Sequence, residues 1–272
     1  MIEFIHAFQN YAFIQYAVVA CILAAIGCGV VGSYVVIKRV SFIAGSIAHC
    51  VFAGMGIAYF YNSSPFIGAL ITAIIAAILI SVIKLRWKQQ QDILISMLWS
   101  GGMAVGIIFI SMTPSYNVDL MSYMFGNILL INETDLYSMI ILDVIILATV
   151  FIFYDQFLLT VFDEEFARTR GINVELYYFL LMCLISVTVV LLIKIVGLIL
   201  VIAMLSLPAS IANHHIHSLK PMMLVSGLIC MMINLIGLIL AYSYDLPAGA
   251  MIVLICCAAF ILSLIFSRYA YA

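Results

Sequence analysis

Charge is what this chain has least of. Ten Lys and Arg and twelve Asp and Glu make up 8% of its 272 residues, whereas a soluble domain carries about 25%. So few charges cannot cover a globular surface, which excludes a soluble enzyme and a disordered chain. The formal net charge of −2 offers no basic face to nucleic acid. Catalytic motifs are missing as well. No lysine is followed by Ser or Thr, so there is no phosphate-binding P-loop, and neither H-E-x-x-H nor G-x-S-x-G occurs. Any energy for work must come from another subunit or from an ion gradient. The cysteines (Cys21, Cys28, Cys50, Cys183, Cys230, Cys256 and Cys257) form no C-x-x-C pair and lie in apolar runs, so they read as packing residues. The N-terminal MIEFIHAFQNYAFIQY has no basic residue before the first long apolar run. That run therefore reads as a retained helix rather than a cleaved leader.

What the chain does have is apolar length: 67% of its residues are hydrophobic. A membrane-crossing helix needs about 20 mostly apolar residues. Interruptions divide the chain into candidate spans near 13–37, 41–61, 65–83, 92–112, 136–154, 174–193, 196–212, 221–242 and 248–267. The fold class is all-α, a polytopic helical bundle in a lipid bilayer with eight to ten spans, nine by this partition. Only Lys194 and Ile195 separate two of the spans, which could be one broken helix. The apolar but short 118–131 reads as re-entrant or interfacial. With nine spans and the N-terminus outside, every basic residue except Lys194 falls on one side: Lys38, Arg39, Lys84, Arg86, Lys88, Arg168, Arg170, Lys220 and Arg268. Positive charge marks the cytoplasmic side, so the N-terminus is expected outside and the C-terminus inside.

Local patterns add detail. Asp245 before Pro247 reads as the N-cap of the last span, with Gly249 allowing close packing. Gly102 and Gly106 form a small-xxx-small pair suited to helix approach. The longest polar stretch, 155–173, holds Asp163, Glu164, Glu165, Arg168 and Arg170 within eight residues. Asp163 can cap a short helix, the two glutamates favour its first turn, and Gly171 can end it. The segment is either a solvated connector or a docking surface for a cytoplasmic partner.

Several segments resemble the permease subunits of ABC importers for zinc, manganese and iron. GSYVVIKRVSFIAGSIAHCVFAG from Gly32 is similar to the family's G-x-F-V-V-x-R-R-x-S/A-x-x-G-D-x-x-x-H-x-x-x-x-G. DILISMLWSGGMAVGIIF (92–109) follows. In SYMFGNILLINETDL (122–136) the match centres on Phe125, Gly126 and Asn127. DEEFARTRGI (163–172) resembles the family's D-x-E-x-A-x-x-x-G coupling segment. VGLILVIAMLSLPASIA (196–212), with Pro208, and DLPAGAMIVL (245–254) complete the set. The resemblance runs from about residue 27 to 266.

It implies that 1–272 is a single transmembrane permease domain in a bacterial inner membrane. Such a permease is not itself an enzyme and holds no permanent cofactor. It works as a homodimer with a cytoplasmic ATPase dimer and an extracytoplasmic metal-binding protein, passing a divalent ion inward by alternating access. Asp163, Glu164, Glu165, Ala167, Arg168 and Gly171 would then belong to the ATPase-coupling segment. A chelate permease would need a wider tunnel. A gradient-driven carrier would leave 163–172 without a partner.

Polar groups inside apolar spans are the candidates for a metal pathway. His49 lies about 12 Å into its span at the helical rise, with small residues Gly45, Ala53 and Gly56 near its face. It is either a pathway ligand or a hydrogen-bonded core residue. The family often has Asp four residues earlier, where this chain has Gly45. A lone imidazole without that carboxylate favours Zn²⁺ over Mn²⁺. Asp143 is the other intramembrane acid, either a pathway group or a partner of Lys194. His214, His215 and His217 follow the seventh span and could accept an exiting ion or form a solvated loop.

Overall fold

The computed structural model describes residues 8–86, 91–113, 126, 128–198, 200–216 and 218–270. Eleven helices are named here: α1 Ala12–Lys38, α2 Ser41–Phe60, α3 Pro65–Arg86, α4 Gln91–Ser111, α5 Glu133–Ile152, α6 Tyr154–Phe162, α7 Glu164–Thr169, α8 Val174–Val196, α9 Val201–His215, α10 Leu219–Tyr244 and α11 Ala248–Ala270. No strand occurs among the described residues. Eight of the helices are long and apolar enough to cross a membrane. The all-helical membrane architecture follows from the chemistry. In lipid every backbone N–H and C=O must be satisfied within its own segment, and helices do this.

The helix ends refine the sequence partition. The expected break at Lys194–Ile195 falls instead at Gly197, whose φ is 84°, and Lys194 lies inside α8. The seventh expected span is α9, with only 15 residues. At about 1.5 Å per residue it is too short to cross a hydrocarbon core of ~30 Å by itself. Pro208 sits inside α9 and is buried. Its missing N–H leaves the Met204 carbonyl without a helical donor, yet the helix continues for two more turns. α5 starts three residues earlier than expected because Asn132 and Asp135 cap it reciprocally. Asp135 N–H donates to Asn132 Oδ1 at 2.9 Å and Asn132 N–H to Asp135 Oδ2 at 3.4 Å. Asp245 does not cap the last helix. It ends α10 in the left-handed conformation, φ 54°, while the Pro247 carbonyl takes the first bond of α11. Gly249 is buried in the first turn of that helix. Of the expected element at 118–131, residues 118–125 and 127 lie outside the described residues. Ile128–Leu130 is a single 3-10 turn.

The chain divides into two compact units. One contains Met1–Val36, Met121–Leu147 and Leu191–Ala272; the other contains Ile37–Leu120 and Ala148–Val190. In the first unit α9, α10 and α11 pack on one another, and α1 joins them through missing side chains. A methyl group placed at Gly32 would lie 2.3 Å from the Leu205 carbonyl oxygen, and one at Gly29 would lie 2.6 Å from Gly227 Cα. Asn234 of α10 donates to the Cys21 carbonyl of α1 at 3.1 Å, a buried polar tie of the kind that holds membrane helices together. In the second unit α2 packs along both α3 and α4. The Gly102 and Gly106 pair faces α2: a methyl group at Gly102 would lie 2.5 Å from Cys50 Cα. Ile93, Met97, Ile107 and Ile108 of α4 are exposed, as suits a surface bathed by acyl chains.

Candidate functional site

His49 lies in α2, in the second unit, and is 7% exposed. Its Nδ1 is 2.9 Å from the Gly45 carbonyl oxygen one turn earlier. A carbonyl only accepts, so Nδ1 carries the hydrogen, and the neutral ring keeps its lone pair on Nε2. The ring stacks on Trp99 of α4, with centroids 4.1 Å apart and planes 22° apart. The glycines of α4 bring the backbones close enough for this stack. Trp99 was not singled out from the sequence. The available signal was its place three residues before Gly102, on the same helical face. The result is an imidazole of fixed orientation and fixed tautomer, the condition under which a histidine can serve as a ligand.

Asp143 of α5 is in the first unit and 3% exposed. Neither of its carboxylate oxygens has a hydrogen-bond partner among the described residues. The expected pairing with Lys194 is overturned, because Lys194 bridges to Asp135, eight residues earlier and two turns closer to the start of α5. The capping box already fixes Asp135, so it offers Lys194 a preorganised acceptor. His214 is half-buried at the end of α9, its ring stacked on Phe260 at 5.9 Å and its Nδ1 3.4 Å from Ser263 Oγ. His215 beside it is exposed, and His217 lies outside the described residues, as does Asn127. No group of three or more His, Cys, Asp or Glu suited to hold a metal ion occurs among the described residues.

The polar segment is the most fully determined part of the second unit. Asp163 caps α7: the Phe166 N–H donates to its Oδ1 at 2.9 Å. At the other end Gly171 is left-handed, φ 75°. Its N–H donates to the Arg168 carbonyl and that of Ile172 to the Ala167 carbonyl, a Schellman ending that satisfies the last carbonyls. Ala167 is fully buried, and Glu165, Phe166 and Arg168 are exposed. Arg168 reaches Glu175 in the first turn of α8 at 2.5 Å, so part of its charge is engaged within the chain. Glu164 turns the other way. Its Oε1 accepts from Lys38 at 2.7 Å and from Lys84 at 2.6 Å. Nothing local in the sequence separates Glu164 from Glu165.

Burial of Glu164 opposes its charge, but the two lysines outweigh it and hold the carboxyl at about 2, below the ordinary 4.5. A lowered folded value means that the stabilisation is complete above pH 4.5 and is lost as pH falls toward 2. Pepsin cleavage beside Phe162 and Phe166 should therefore accelerate between pH 4.5 and 2, normalised to a Glu164→Gln chain. A constant ratio across that interval would show that the triplet does not hold the segment.

The arrangement defines a class: a polytopic helical membrane protein with a structured polar connector and single polar groups inside apolar helices. Comparison with known proteins narrows it. Residues 10–267 match the model of the ABC 3 transport family, and the chain belongs to that family. A Chlamydia muridarum protein named "Probable metal transport system membrane protein" is 41% identical over 90% of this chain and 86% of its own length. "Manganese transport system membrane protein MntC" of Halalkalibacterium halodurans is 33% identical over 95% of this chain and 88% of its own. Among solved structures, "PsaBC from Streptococcus pneumoniae in complex with Fab" superposes with a TM-score of 0.88 at 35% identity, covering 97% of this chain and 95% of that one.

Proposed function

We propose that this chain is the membrane-spanning subunit of an ATP-driven importer and that its cargo is a divalent transition-metal ion, Mn²⁺ ahead of Zn²⁺. The observation that carries a metal pathway is His49: a buried imidazole inside an apolar helix, held so that Nε2 keeps a lone pair. Mn²⁺ is favoured by the relative named for manganese transport. Zn²⁺, the expectation from the sequence, is favoured by Gly45, which leaves the helix face of His49 without a carboxylate. Imidazole suits zinc, whereas manganese prefers oxygen.

Uptake then runs as follows. A separate extracytoplasmic protein delivers the ion, two copies of the permease enclose it, and His49 of each copy exchanges water for imidazole as it passes. Asp143, in the first unit, is a separate pathway candidate, supported by its unpartnered buried oxygens. His215 and His217, with His214, are acceptors at the inner mouth. A cytoplasmic ATPase dimer docks on 163–172 through Glu165, Phe166 and Arg168, supported by their exposure on a capped, rigid helix. The N-terminus is outside, and the C-terminus is inside because α9 together with the break at Gly197 completes a ninth crossing. In support of this, Lys38 and Lys84 meet the same segment, as one basic cytoplasmic face requires.

The test is competition uptake in vesicles carrying the full complex. Excess unlabelled Mn²⁺ should suppress radiolabelled Mn²⁺ uptake more than excess Zn²⁺ does. The reverse order assigns the cargo to zinc. ATP-dependent uptake of neither ion sinks the metal reading.

A further inference from the structure

Resting on the docking reading above, we propose that Glu164 is the positioning residue that passes movement of the docking helix α7 to the ends of α1 and α3. One carboxylate oxygen gathers two ammonium groups from far apart in the chain. Lys38 is the last residue of α1 and Lys84 lies in the last turn of α3. Lys38 also donates to the Thr160 carbonyl of α6 at 2.9 Å. Lys84 lies 3.6 Å from the centre of the Tyr178 ring of α8. A single side chain thus ties α7 to the ends of α1 and α3, and its two partners extend the tie to α6 and α8; Lys38, Lys84, Thr160, Glu164 and Tyr178 all belong to the second unit.

The geometry suits transmission better than adhesion. α7 has only six residues and is fixed at both ends by its cap and its Schellman turn. A push on the exposed Glu165 and Phe166 therefore cannot be absorbed inside the helix. It moves Glu164, the first residue of the same helix. The side chains of the triplet are 33%, 14% and 24% exposed, so water screens the bonds only partly. Two cations on one carboxylate also make the tie depend on a single group. Without its charge Lys38 and Lys84 lose the carboxylate they share, which is costlier than losing an exposed pair. Both lysines sit at helix C-termini, where the helix dipole favours their charge, so they remain in place to be led.

The experiment uses the assembled permease–ATPase complex in proteoliposomes, with radiolabelled Mn²⁺ as the transported probe. Co-purification of the ATPase, ATP hydrolysis and metal taken up per ATP are measured together. With Glu164→Gln the ATPase should still co-purify and hydrolyse ATP, while uptake per ATP falls about fivefold or more, the upper range of effects carried by coupling residues. Lys84→Met should lower the ratio in the same direction. Combining Glu164→Lys with Lys38→Glu and Lys84→Glu should restore the ratio to within about twofold, as expected of a coupled cluster. An unchanged ratio in Glu164→Gln overturns the proposal, as does a proportional loss of hydrolysis and uptake, which describes a merely structural role. Loss of ATPase co-purification in Glu164→Gln also overturns it and assigns the residue to the docking contact. The docking reading is tested separately by Glu165→Lys with Phe166→Glu. If that pair leaves the ATPase bound, docking lies elsewhere, whatever Glu164 does.

Discussion

Gly126→Ala is expected to destabilise the permease by about 2–5 kcal/mol. Two costs meet at this position. The backbone is left-handed, with φ 72°, which costs an L-residue about 1–2 kcal/mol. The new methyl group would also lie 2.4 Å from the Val196 carbonyl carbon and 2.5 Å from Gly197 N. Those are backbone atoms at the break between α8 and α9, so no side-chain rotation relieves the overlap. Overpacking of this kind adds roughly 1–3 kcal/mol, against a typical stability of about 5–15 kcal/mol.

Two other glycines separate these costs. Gly171 has φ 75° with open space around it, and Gly101 is helical with nothing within 4 Å. Gly171→Ala should lower the melting temperature modestly, and Gly101→Ala should be neutral or slightly stabilising. Monodisperse yield and thermal melting in detergent check the series. If Gly126→Ala melts like Gly171→Ala, the packing of this turn against Gly197 is not as described.

His49→Phe should reduce metal uptake by about tenfold or more, at least the loss seen when a ligand's supporting partner is removed. Phenylalanine keeps an aromatic ring against Trp99 and removes only the nitrogens, so this variant tests the lone pair rather than the packing. His49→Ala also empties the stack and is the harsher change. Thermal stability near that of the unaltered protein, with uptake lost, assigns the residue to the metal route. Normal uptake with His49→Phe would reduce His49 to a packing residue and leave Asp143 as the intramembrane group to explain.

The candidate site was legible in part. His49 stood out because an imidazole in an apolar run has no cheap explanation, and Gly45 was visible as the place of an absent acid. Trp99 was not, because an aromatic residue in a membrane helix resembles every other lipid-facing side chain until its neighbour is known. Asp143 was marked as unusual, but the acid that meets Lys194 was not: Asp135, held by its capping box with Asn132, became visible as its partner only in the structure.

Hydropathy and local grammar alone accounted for the membrane helices, the cap at Asp163 and the glycine ending at Gly171. Each depends on residues within one turn or one span, where the energetic preference is carried by the neighbours in the chain. The tertiary structure alone decided that Gly197 rather than Lys194 divides α8 from α9 and that Asp245 closes a helix instead of opening one. It also decided that Glu164 faces Lys38 and Lys84 while Glu165 faces outward. These depend on groups 80 and 126 positions apart, on backbone approach, and on which of two equal charges is turned inward. A charge carries no label for its partner. Only the packed helices, by placing two ammonium groups within reach of one carboxylate, supply it.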